Sequence, residues 1–188
     1  MQSIIIFASG AGTNTAAIVE YFKRKKKAKV ALIVSNNPDA GVLDIAKAED
    51  IPFLIVNKKT FKQTLLLEQL SSYEPSLIVL AGFLWKIPSS VINTFPGKII
   101  NIHPALLPDY GGKGMYGHHV HDAVTAAGEK ESGITIHYVN EQYDKGNIIV
   151  QARCVVKKND TASTLASRIH KLEHFYFPRT IEFLLTNM

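Results

Sequence analysis

The sequence contains a single cysteine, Cys154, in 188 residues. A lone thiol excludes an internal disulfide and a cysteine-rich zinc site, and it favours a reducing compartment. Because Cys154 lies in an apolar, strand-like stretch, we expect it to be buried and inert. Long apolar runs are also missing: the N-terminal segment MQSIIIFASG has no basic residue and is too short for a signal peptide or a membrane span. These absences predict a cytoplasmic protein that does not bind a membrane.

Neither sign of charge dominates, and the composition allows one sizeable core. Lysine and arginine number 21 against 16 aspartate and glutamate residues, a formal net charge of +5 with a pI near 9.2. This balance favours small anionic partners and does not require nucleic acid. The densest basic run, Lys23 to Lys27, falls where the first helix should end, so we interpret it as a solvated terminus. With 46% hydrophobic residues, residues 1–188 are predicted to form a single domain.

Strand and helix signals alternate along the chain, without internal repeats or low-complexity linkers. Continuous apolar runs predict strands that are buried on both faces, and the last two strand signals indicate an antiparallel pair. The pattern predicts a doubly wound α/β sheet, mostly parallel with an antiparallel edge, with helices on both faces. The predicted strands are QSIIIFA, KVALIVS, PFLIV, SLIVLAG, KIINI, GITIHYV and NIIVQARCVV, and the predicted helices are Thr15 to Lys26, Val42 to Glu49, Thr60 to Tyr73 and Thr161 to Leu185, the last interrupted or bent at Pro178.

Three candidate sites fall at the carboxyl ends of predicted strands, where open α/β sheets bind ligands. They are SGAGTN after the first strand, AGFLWKI after the fourth and NIHPALLP after the fifth. SGAGTN leads into a helix whose free N–H groups favour an anion. It lacks the third glycine of a dinucleotide fingerprint and the lysine of a P-loop, so a single phosphate is the better match. A tight turn in which Thr13 and Asn14 only cap the helix is the competing interpretation.

Asn101 and His103 stand two residues apart at the end of the fifth strand, so their side chains should point to the same side. An amide and an imidazole that converge on one oxygen suit acyl transfer, which needs hydrogen-bond donors where negative charge develops and a group that moves protons near pH 7. Pro104 and Pro108 would stiffen this loop. Asp144, in a predicted turn between the last two strands, could orient the imidazole. Ordinary loop and turn hydrogen bonding is the alternative for all three polar residues.

These segments carry a family resemblance that covers essentially the whole chain. SGAGTN, AGFLWKI, NIHPALLP and GITIHYVNEQYDKGNII occur in the order and spacing of the folate-dependent formyltransferases, and the sequence most resembles the branch that acts on phosphoribosylglycinamide. The resemblance implies a Rossmann-like formyltransferase fold, with a phosphate-binding half over about 1–100 and a folate and catalytic half over about 101–188. It implies transfer of a formyl group from 10-formyltetrahydrofolate to the substrate amine in purine (IMP) biosynthesis, by a monomer or homodimer.

The resemblance also implies roles for individual residues. Asn101 and His103 would stabilise the oxyanion of a tetrahedral intermediate, and Asp144 would hold His103. His170 would reach the substrate phosphate and Glu173 the glycinamide portion, although a solvated charge is the alternative for Glu173. The residues implied for the acceptor substrate are Gly12, Thr13, Asn14, His170 and Glu173, and those implied for folate are Leu84, Trp85, Lys86, Ile87, Asn101, Asn140 and Asp144.

Two segments depart from the common family pattern. Many relatives carry an arginine after AGFM, whereas this chain has Trp85 followed by Lys86, so Trp85 is either a folate contact or a packing residue. The loop DYGGKGMYGHHVH is rich in glycine, which predicts a mobile flap that closes over substrate. Its glycines are Gly111, Gly112, Gly114 and Gly117, and its histidines are His118, His119 and His121. No cysteine or carboxylate completes a metal-ligand set with these histidines, so we predict no metal and expect them to face substrate or to cap the next helix.

Two other functions remain open at this point. Within the same family, a methionyl-tRNA formyltransferase usually carries a further C-terminal domain and a formyltetrahydrofolate deformylase an N-terminal regulatory domain, and 188 residues leave room for neither. From a different class, a non-catalytic phosphosugar- or folate-binding module could use the same fold, since fold does not fix function. The presence of Asn101, His103 and Asp144 together argues for an enzyme.

Overall fold

The computed structural model describes residues 1–188, which form seven strands, six α-helices and one short 3-10 helix over Thr60–Lys62. The strands are β1 (Gln2–Phe7), β2 (Ala28–Ser35), β3 (Phe53–Ile55), β4 (Leu77–Leu80), β5 (Ile99–His103), β6 (Glu131–Tyr138) and β7 (Ile148–Val155). The helices are α1 (Thr13–Lys25), α2 (Val42–Ala48), α3 (Thr64–Ser72), α4 (Ser89–Thr94), α5 (His118–Ala126) and α6 (Ala162–Thr186).

All seven strands belong to one sheet in the order β3-β2-β1-β4-β5-β6-β7. The first five strands of that order are parallel, whereas β6 and β7 are antiparallel to their neighbours. The predicted doubly wound sheet with an antiparallel edge is therefore confirmed. Because the chain proceeds outward from β1 to β3 and then returns to β4 on the other side of β1, the order reverses between β1 and β4, which is where such sheets bind ligands.

The sheet is buried on both faces, as the continuous apolar runs predict. Ile4 and Ile6 of β1 belong to a core of 30 buried residues that also includes side chains of α1, α2, α5 and α6. Ile5 and Phe7, which alternate with them, belong to a second core of 14 buried residues beneath α3 and α4. The two cores fix the central strands, and hence the strand ends that position the site.

Helix boundaries differ from the prediction in two places. The first helix begins at Thr13 rather than Thr15, because Gly12 adopts a left-handed φ of 78° and serves as its N-cap. The helix predicted over Thr60 to Tyr73 is broken: Gln63 is extended, with φ −87° and ψ 152°, and separates the 3-10 turn from α3. Two short helices, α4 and α5, lie outside the predicted elements, since six and nine residues give little periodicity to detect.

Pro178 does not interrupt the last helix, which runs without a break from Ala162 to Thr186. Side chains bind the carbonyl groups near the proline: Arg179 donates to the carbonyl of Phe175 at 2.6 Å, and Thr180 donates to that of Tyr176 at 2.9 Å. Pro178 itself is buried, so packing of α6 against the sheet supports the helix where the proline lacks an N–H group.

Cys154 is half-buried rather than fully buried, and its burial raises the pKa of the thiol. The expectation of complete burial is wrong because β7 is the edge strand, whose side chains are only partly covered. The basic run at the end of α1 is exposed at most positions, and Lys27 pairs with Glu182 at 3.4 Å. None of the helices combines the length and apolar character that a membrane span requires.

Candidate active site

A cavity of about 630 Å³ lies at the carboxyl ends of β1, β4 and β5, beside the reversal of strand order. Every residue that the sequence analysis predicts for the site lines this cavity. These residues are Gly12, Thr13, Asn14, Leu84, Trp85, Lys86, Ile87, Asn101, His103, Asn140, Asp144, His170 and Glu173. The fold thus brings together strand ends, the turn before β7 and the last helix.

Strand β5 presents Asn101 and His103 on the same side, as their spacing predicts. Ile100 and Ile102, which alternate with them, belong to the larger core. Antiparallel pairing with β6 places Asn101 directly opposite His137. The strand therefore points its polar side chains into the cavity while its apolar side chains anchor it to the core.

His103 contacts Asp144 on one side and a backbone carbonyl on the other. Its Nδ1 lies 3.7 Å from Oδ2 of Asp144, which is an ion-pair distance but too long for a hydrogen bond. Its Nε2 donates to the carbonyl oxygen of Tyr110 at 2.7 Å, and because a carbonyl only accepts, the proton of the neutral ring resides on Nε2. Nδ1 consequently keeps a free lone pair beside Asp144.

Tyr110 and His137 are site residues that the sequence analysis missed. Tyr110 has a left-handed φ of 55°, which directs its carbonyl at His103. Nδ1 of His137 donates to the carbonyl of Tyr138 at 2.8 Å, and its Nε2 lies 3.1 Å from Nδ2 of Asn101 and 3.6 Å from Oδ1 of Asp144. The register of β5 against β6 places His137 opposite Asn101, and no local motif in the sequence fixes that register.

Burial and neighbouring charges set the protonation of the site. Burial lowers the pKa of His103 below its usual value, and the charge of Asp144 offsets part of this effect. Burial alone would raise the pKa of Asp144, but contacts with His137, His103 and the amide of Gly112 outweigh it and bring the pKa below its usual value. At neutral pH the site therefore holds an ionised Asp144 and a neutral His103.

The glycine-rich loop approaches Asp144 closely. The backbone amide of Gly112 donates to Oδ2 of Asp144 at 2.8 Å, with Gly112 at a φ of 98°. A Cβ atom on Gly111 would lie 2.5 Å from Cδ2 of Leu107 and 3.3 Å from Cβ of Asp144. Two adjacent glycines thus allow the loop to contact the carboxylate, a role that the prediction of a flap did not include.

The loop before α1 forms the opposite end of the cavity. Gly12 caps the helix without any side-chain hydrogen bond, so the interpretation in which Thr13 and Asn14 only cap the helix is wrong. Nδ2 of Asn14 instead donates to Oε2 of Glu173 at 3.0 Å. The first-turn N–H groups of α1 are left to face the cavity, which is the arrangement that binds an anion.

Helix α6 supplies His170 and Glu173 to the same end. Glu173 is only 6% exposed, so it is not a solvated charge, and burial raises the pKa of its carboxyl group while the hydrogen bond from Asn14 lowers it. The ring of His170 stacks on that of His174 with centroids 6.2 Å apart. His121 of α5 also lies in the cavity wall, and it is the one of the three loop histidines that does so.

The three histidines of the glycine-rich loop separate in the structure. His118 begins α5 and pairs with Asp122 at 3.3 Å on the surface. His119 packs edge-on against Tyr116, with ring centroids 5.1 Å apart. None of the three caps α5, whose N-cap is Gly117 without a side-chain bond, so the capping alternative is wrong. That one of them faces substrate stays a prediction. No group of three or more His, Cys, Asp or Glu side chains is placed to hold a metal ion.

An aromatic cluster supports the segment Leu84 to Ile87. Trp85 is half-buried and packs against Phe61, with ring centroids 5.5 Å apart, and against Phe83 at 6.3 Å. Ile87 is buried, whereas Leu84 and Lys86 are exposed at the cavity. Trp85 is therefore a packing residue that also faces the cavity, and the two interpretations of it are compatible.

A sequence profile of one protein family, described as Formyl transferase, matches residues 2–181. The chain belongs to this family. It is similar to the phosphoribosylglycinamide formyltransferase of Bacillus subtilis (strain 168), with 41% identity over 98% of this chain and 95% of that protein. It is 39% identical to the chloroplastic phosphoribosylglycinamide formyltransferase of Arabidopsis thaliana over 92% of this chain and 62% of that protein.

Solved structures of formyl transferases share the architecture. The phosphoribosylglycinamide formyltransferase of Bacillus halodurans superposes with a TM-score of 0.90 at 34% identity, covering 98% of this chain and 96% of that one. A formyltetrahydrofolate deformylase from Pseudomonas syringae superposes with a TM-score of 0.87 at 21% identity, and this chain covers 62% of it. The second likeness shows the fold alone.

Proposed function

We propose that this formyl transferase moves the formyl group of 10-formyltetrahydrofolate onto the amine of phosphoribosylglycinamide, in purine biosynthesis. The observation that carries the proposal is the cluster of Asn101, His103 and Asp144 between an anion-binding helix end and a wall built on Trp85. The similar protein of Bacillus subtilis and the similar solved structure from Bacillus halodurans are both phosphoribosylglycinamide formyltransferases, which supports the same reaction for this chain.

The two ends of the cavity suit the two substrates. The N–H groups of the helix that begins at Thr13 would bind the acceptor phosphate together with His170, and Asn14 and Glu173 would bind the ribosyl and glycinamide portion. The folate would lie along the wall opposite, against the segment that follows β4 and the turn that follows β6. The residues proposed to contact folate are Leu84, Trp85, Lys86, Ile87, Asn101, Asn140 and Asp144.

In the proposed reaction the acceptor nitrogen attacks the formyl carbon, and the carbonyl electrons move to its oxygen. Nδ2 of Asn101 would donate to this oxyanion. Nδ1 of His103, which has a free lone pair in the neutral ring, would take the proton of the attacking amine, and Asp144 at 3.7 Å would stabilise the imidazolium formed. The bond from the formyl carbon to N10 of folate then breaks as the oxyanion collapses, and His103 returns the proton to N10. Formylated product and tetrahydrofolate result.

Turnover tests the reaction directly. Folate product is followed by absorbance with 10-formyltetrahydrofolate, in the presence and absence of phosphoribosylglycinamide. We expect product only with the acceptor. Asn101→Ala should lower kcat about 10²- to 10³-fold, the loss typical of one oxyanion donor. His103→Ala should lower it about 10²- to 10⁴-fold, the contribution typical of a general acid–base group. His118→Ala, which removes a surface histidine, is the control and should retain wild-type turnover.

Other results would assign another function. Product formed without an acceptor identifies a deformylase, and saturable binding without product from either mixture identifies a non-catalytic binding module. Near-normal turnover by His103→Ala would remove the role proposed for that residue.

Several further points stay predictions. The division at about residue 100 into a phosphate-binding half and a folate-binding half is a proposal, since both halves line one cavity. A cytoplasmic location rests on the lone cysteine, which suits a reducing compartment. Small-molecule partners follow from the cavity, and the chain is proposed to act as a monomer or a homodimer, without metal, nucleic acid or membrane.

A further inference from the structure

His121 is a buried polar residue that the proposed reaction does not use. It lies on α5, is only 2% exposed and forms part of the cavity wall. Its Nδ1 atom is buried and has no hydrogen-bond partner in the protein. A buried polar atom without a partner is costly, so such atoms in native proteins generally have a ligand or an ordered water molecule as their partner.

His121 shares the cavity wall with residues of both ends of the proposed acceptor site. His103 of the reacting end and His170 of the phosphate end line the same cavity as His121. Packing of α5 against α6 brings the residues of the two helices together. Asn14, whose Oδ1 atom is also buried without a partner, extends the same region. Two residues with an unpaired buried polar atom, His121 and Asn14, thus line the same cavity.

The ring is uncharged at neutral pH. Burial, with smaller contributions from His170 and His118, lowers the pKa of His121 to about 4, and Asp122 opposes this only weakly. A neutral imidazole has one N–H donor and one acceptor nitrogen. It suits an uncharged polar group and contributes no positive charge toward a phosphate, so its ligand differs from that proposed for the end of α1.

We propose that His121 binds the acceptor substrate through an uncharged N–H or O–H group located between the phosphate and the amine. This inference rests on the proposed function and adds a recognition residue to it. The two possible sources in the acceptor are a ribose hydroxyl and the amide N–H, which present the same chemistry to an imidazole nitrogen. Whereas the carboxylate of Glu173 accepts from Asn14, Nδ1 of His121 has no hydrogen-bond partner in the protein.

Variants of His121 test the inference through their separate effects on KM for the acceptor and KM for the folate donor. His121→Phe preserves ring volume and removes both nitrogens, so KM for phosphoribosylglycinamide should rise about 10- to 100-fold, the loss expected for one buried hydrogen bond. KM for 10-formyltetrahydrofolate should change less than about twofold. His121→Asn, whose amide can place a polar atom near the position of Nδ1, should recover part of the loss. His118→Asn on the surface of the same helix is the control.

Acceptor analogues separate the two sources of the group. One analogue lacks the ribose hydroxyls, and another carries an N-methylated amide. The wild-type protein should bind the analogue that lacks the group contacted by His121 more weakly than it binds the natural acceptor. The His121→Phe protein should bind that analogue with the same affinity as wild type does. If both analogues lose as much affinity in the variant as the natural acceptor does, the inference is overturned.

Calorimetric binding of the acceptor alone distinguishes failure of this inference from failure of the proposed function. Folding of each variant is checked by its thermal transition. A folded His121→Phe protein that binds phosphoribosylglycinamide as tightly as wild type, while wild type formylates it, would overturn only the role of His121. A wild-type protein that neither binds nor formylates the acceptor would overturn both.

Discussion

Asp144 combines an unusual backbone conformation with a crowded set of contacts. Its φ of 53° lies in the left-handed region, which aspartate tolerates better than most residues. Its carboxylate faces Nδ1 of His103, Nε2 of His137 at 3.6 Å and the amide of Gly112. These contacts lower the pKa of the carboxyl group and hold it in its charged form, so as pH falls from neutrality His103 takes up a proton before Asp144 does.

The pH dependence of catalysis should follow His103. If its neutral form accepts the amine proton, kcat/KM should fall as pH decreases through the pKa of His103, which burial brings below the usual value. Asp144→Asn removes the charge that favours the imidazolium, so the acid limb should move to lower pH while kcat falls about 10²-fold or more. Steady-state kinetics across about pH 4.5 to 8 measure both effects. A limb that moves to higher pH in the variant contradicts this assignment.

His121 should also make folding stability sensitive to acid. The pKa of His121 is about 4 in the folded protein, below the usual 6.5. As pH falls, this histidine is therefore protonated in the unfolded chain before it is protonated in the folded one. The contribution is fully present above about pH 6.5 and is lost progressively toward pH 4, and a shift of this size corresponds to roughly 3 kcal/mol. Urea unfolding at pH 7 and pH 4.5 should show a smaller acid loss for His121→Phe than for wild type. His118→Phe should match wild type, and equal losses in all three proteins would count against the prediction.

At the scale of elements, the glycine-rich loop acts on the site through its backbone. A Cβ atom on Gly111 would lie 2.5 Å from Cδ2 of Leu107, so either that side chain or the loop must shift, whereas a Cβ on Gly114 would meet nothing within 4 Å. The contact of Gly112 with Asp144 therefore depends on the absence of a side chain at the neighbouring position. Closure of the loop over substrate remains a prediction.

Gly111→Ala should lower kcat about tenfold or more, because the displaced loop would no longer donate its amide to Asp144, and one hydrogen bond to a charged group contributes about 1.5–3 kcal/mol. Gly114→Ala in the same loop is the matched control. It introduces backbone strain at a φ of 89° without a steric contact, so it should affect stability more than kcat. Equal losses of kcat in the two variants would show that general loop strain, rather than the contact with Asp144, is responsible.

Most elements and the composition of the cavity wall could be predicted from the sequence. Runs such as SLIVLAG are apolar throughout because their strands are covered on both sides, and polar residues at strand ends meet because parallel strands end at one edge. The break at Gln63 and the six-residue helix α4 could not be predicted, since tertiary contacts outweigh such weak local preferences. His137 and His121 acquire their places only from strand pairing and helix packing, which no local motif encodes.

At the scale of the whole molecule, α6 belongs to both the site and the core. Its residues His170 and Glu173 face the cavity, whereas Phe177 and Ile181 are completely buried in the larger core. The helix also packs against α1, α5 and β6. The positions of His170 and Glu173 in the proposed acceptor site therefore depend on how α6 packs in the larger core.

Phe177→Ala should lower the free energy of unfolding by about 3–5 kcal/mol, because it leaves a cavity in a close-packed core. Phe183→Ala, on the same helix but 62% exposed, should change it by less than about 0.5 kcal/mol. Urea denaturation followed by circular dichroism provides the measurement. Similar values for the two variants would mean that α6 contributes little to the core.

The hydrogen bond between Asn14 and Glu173 joins residues that are 159 positions apart in the chain. During synthesis, the loop before α1 leaves the ribosome long before α6 exists, so a nascent chain holds only one side of the acceptor site. Substrate cannot assist the early steps of folding, because its proposed binding surface is complete only after α6 has been synthesised. Ligand binding to stalled nascent chains of increasing length should consequently begin abruptly, once α6 has left the exit tunnel.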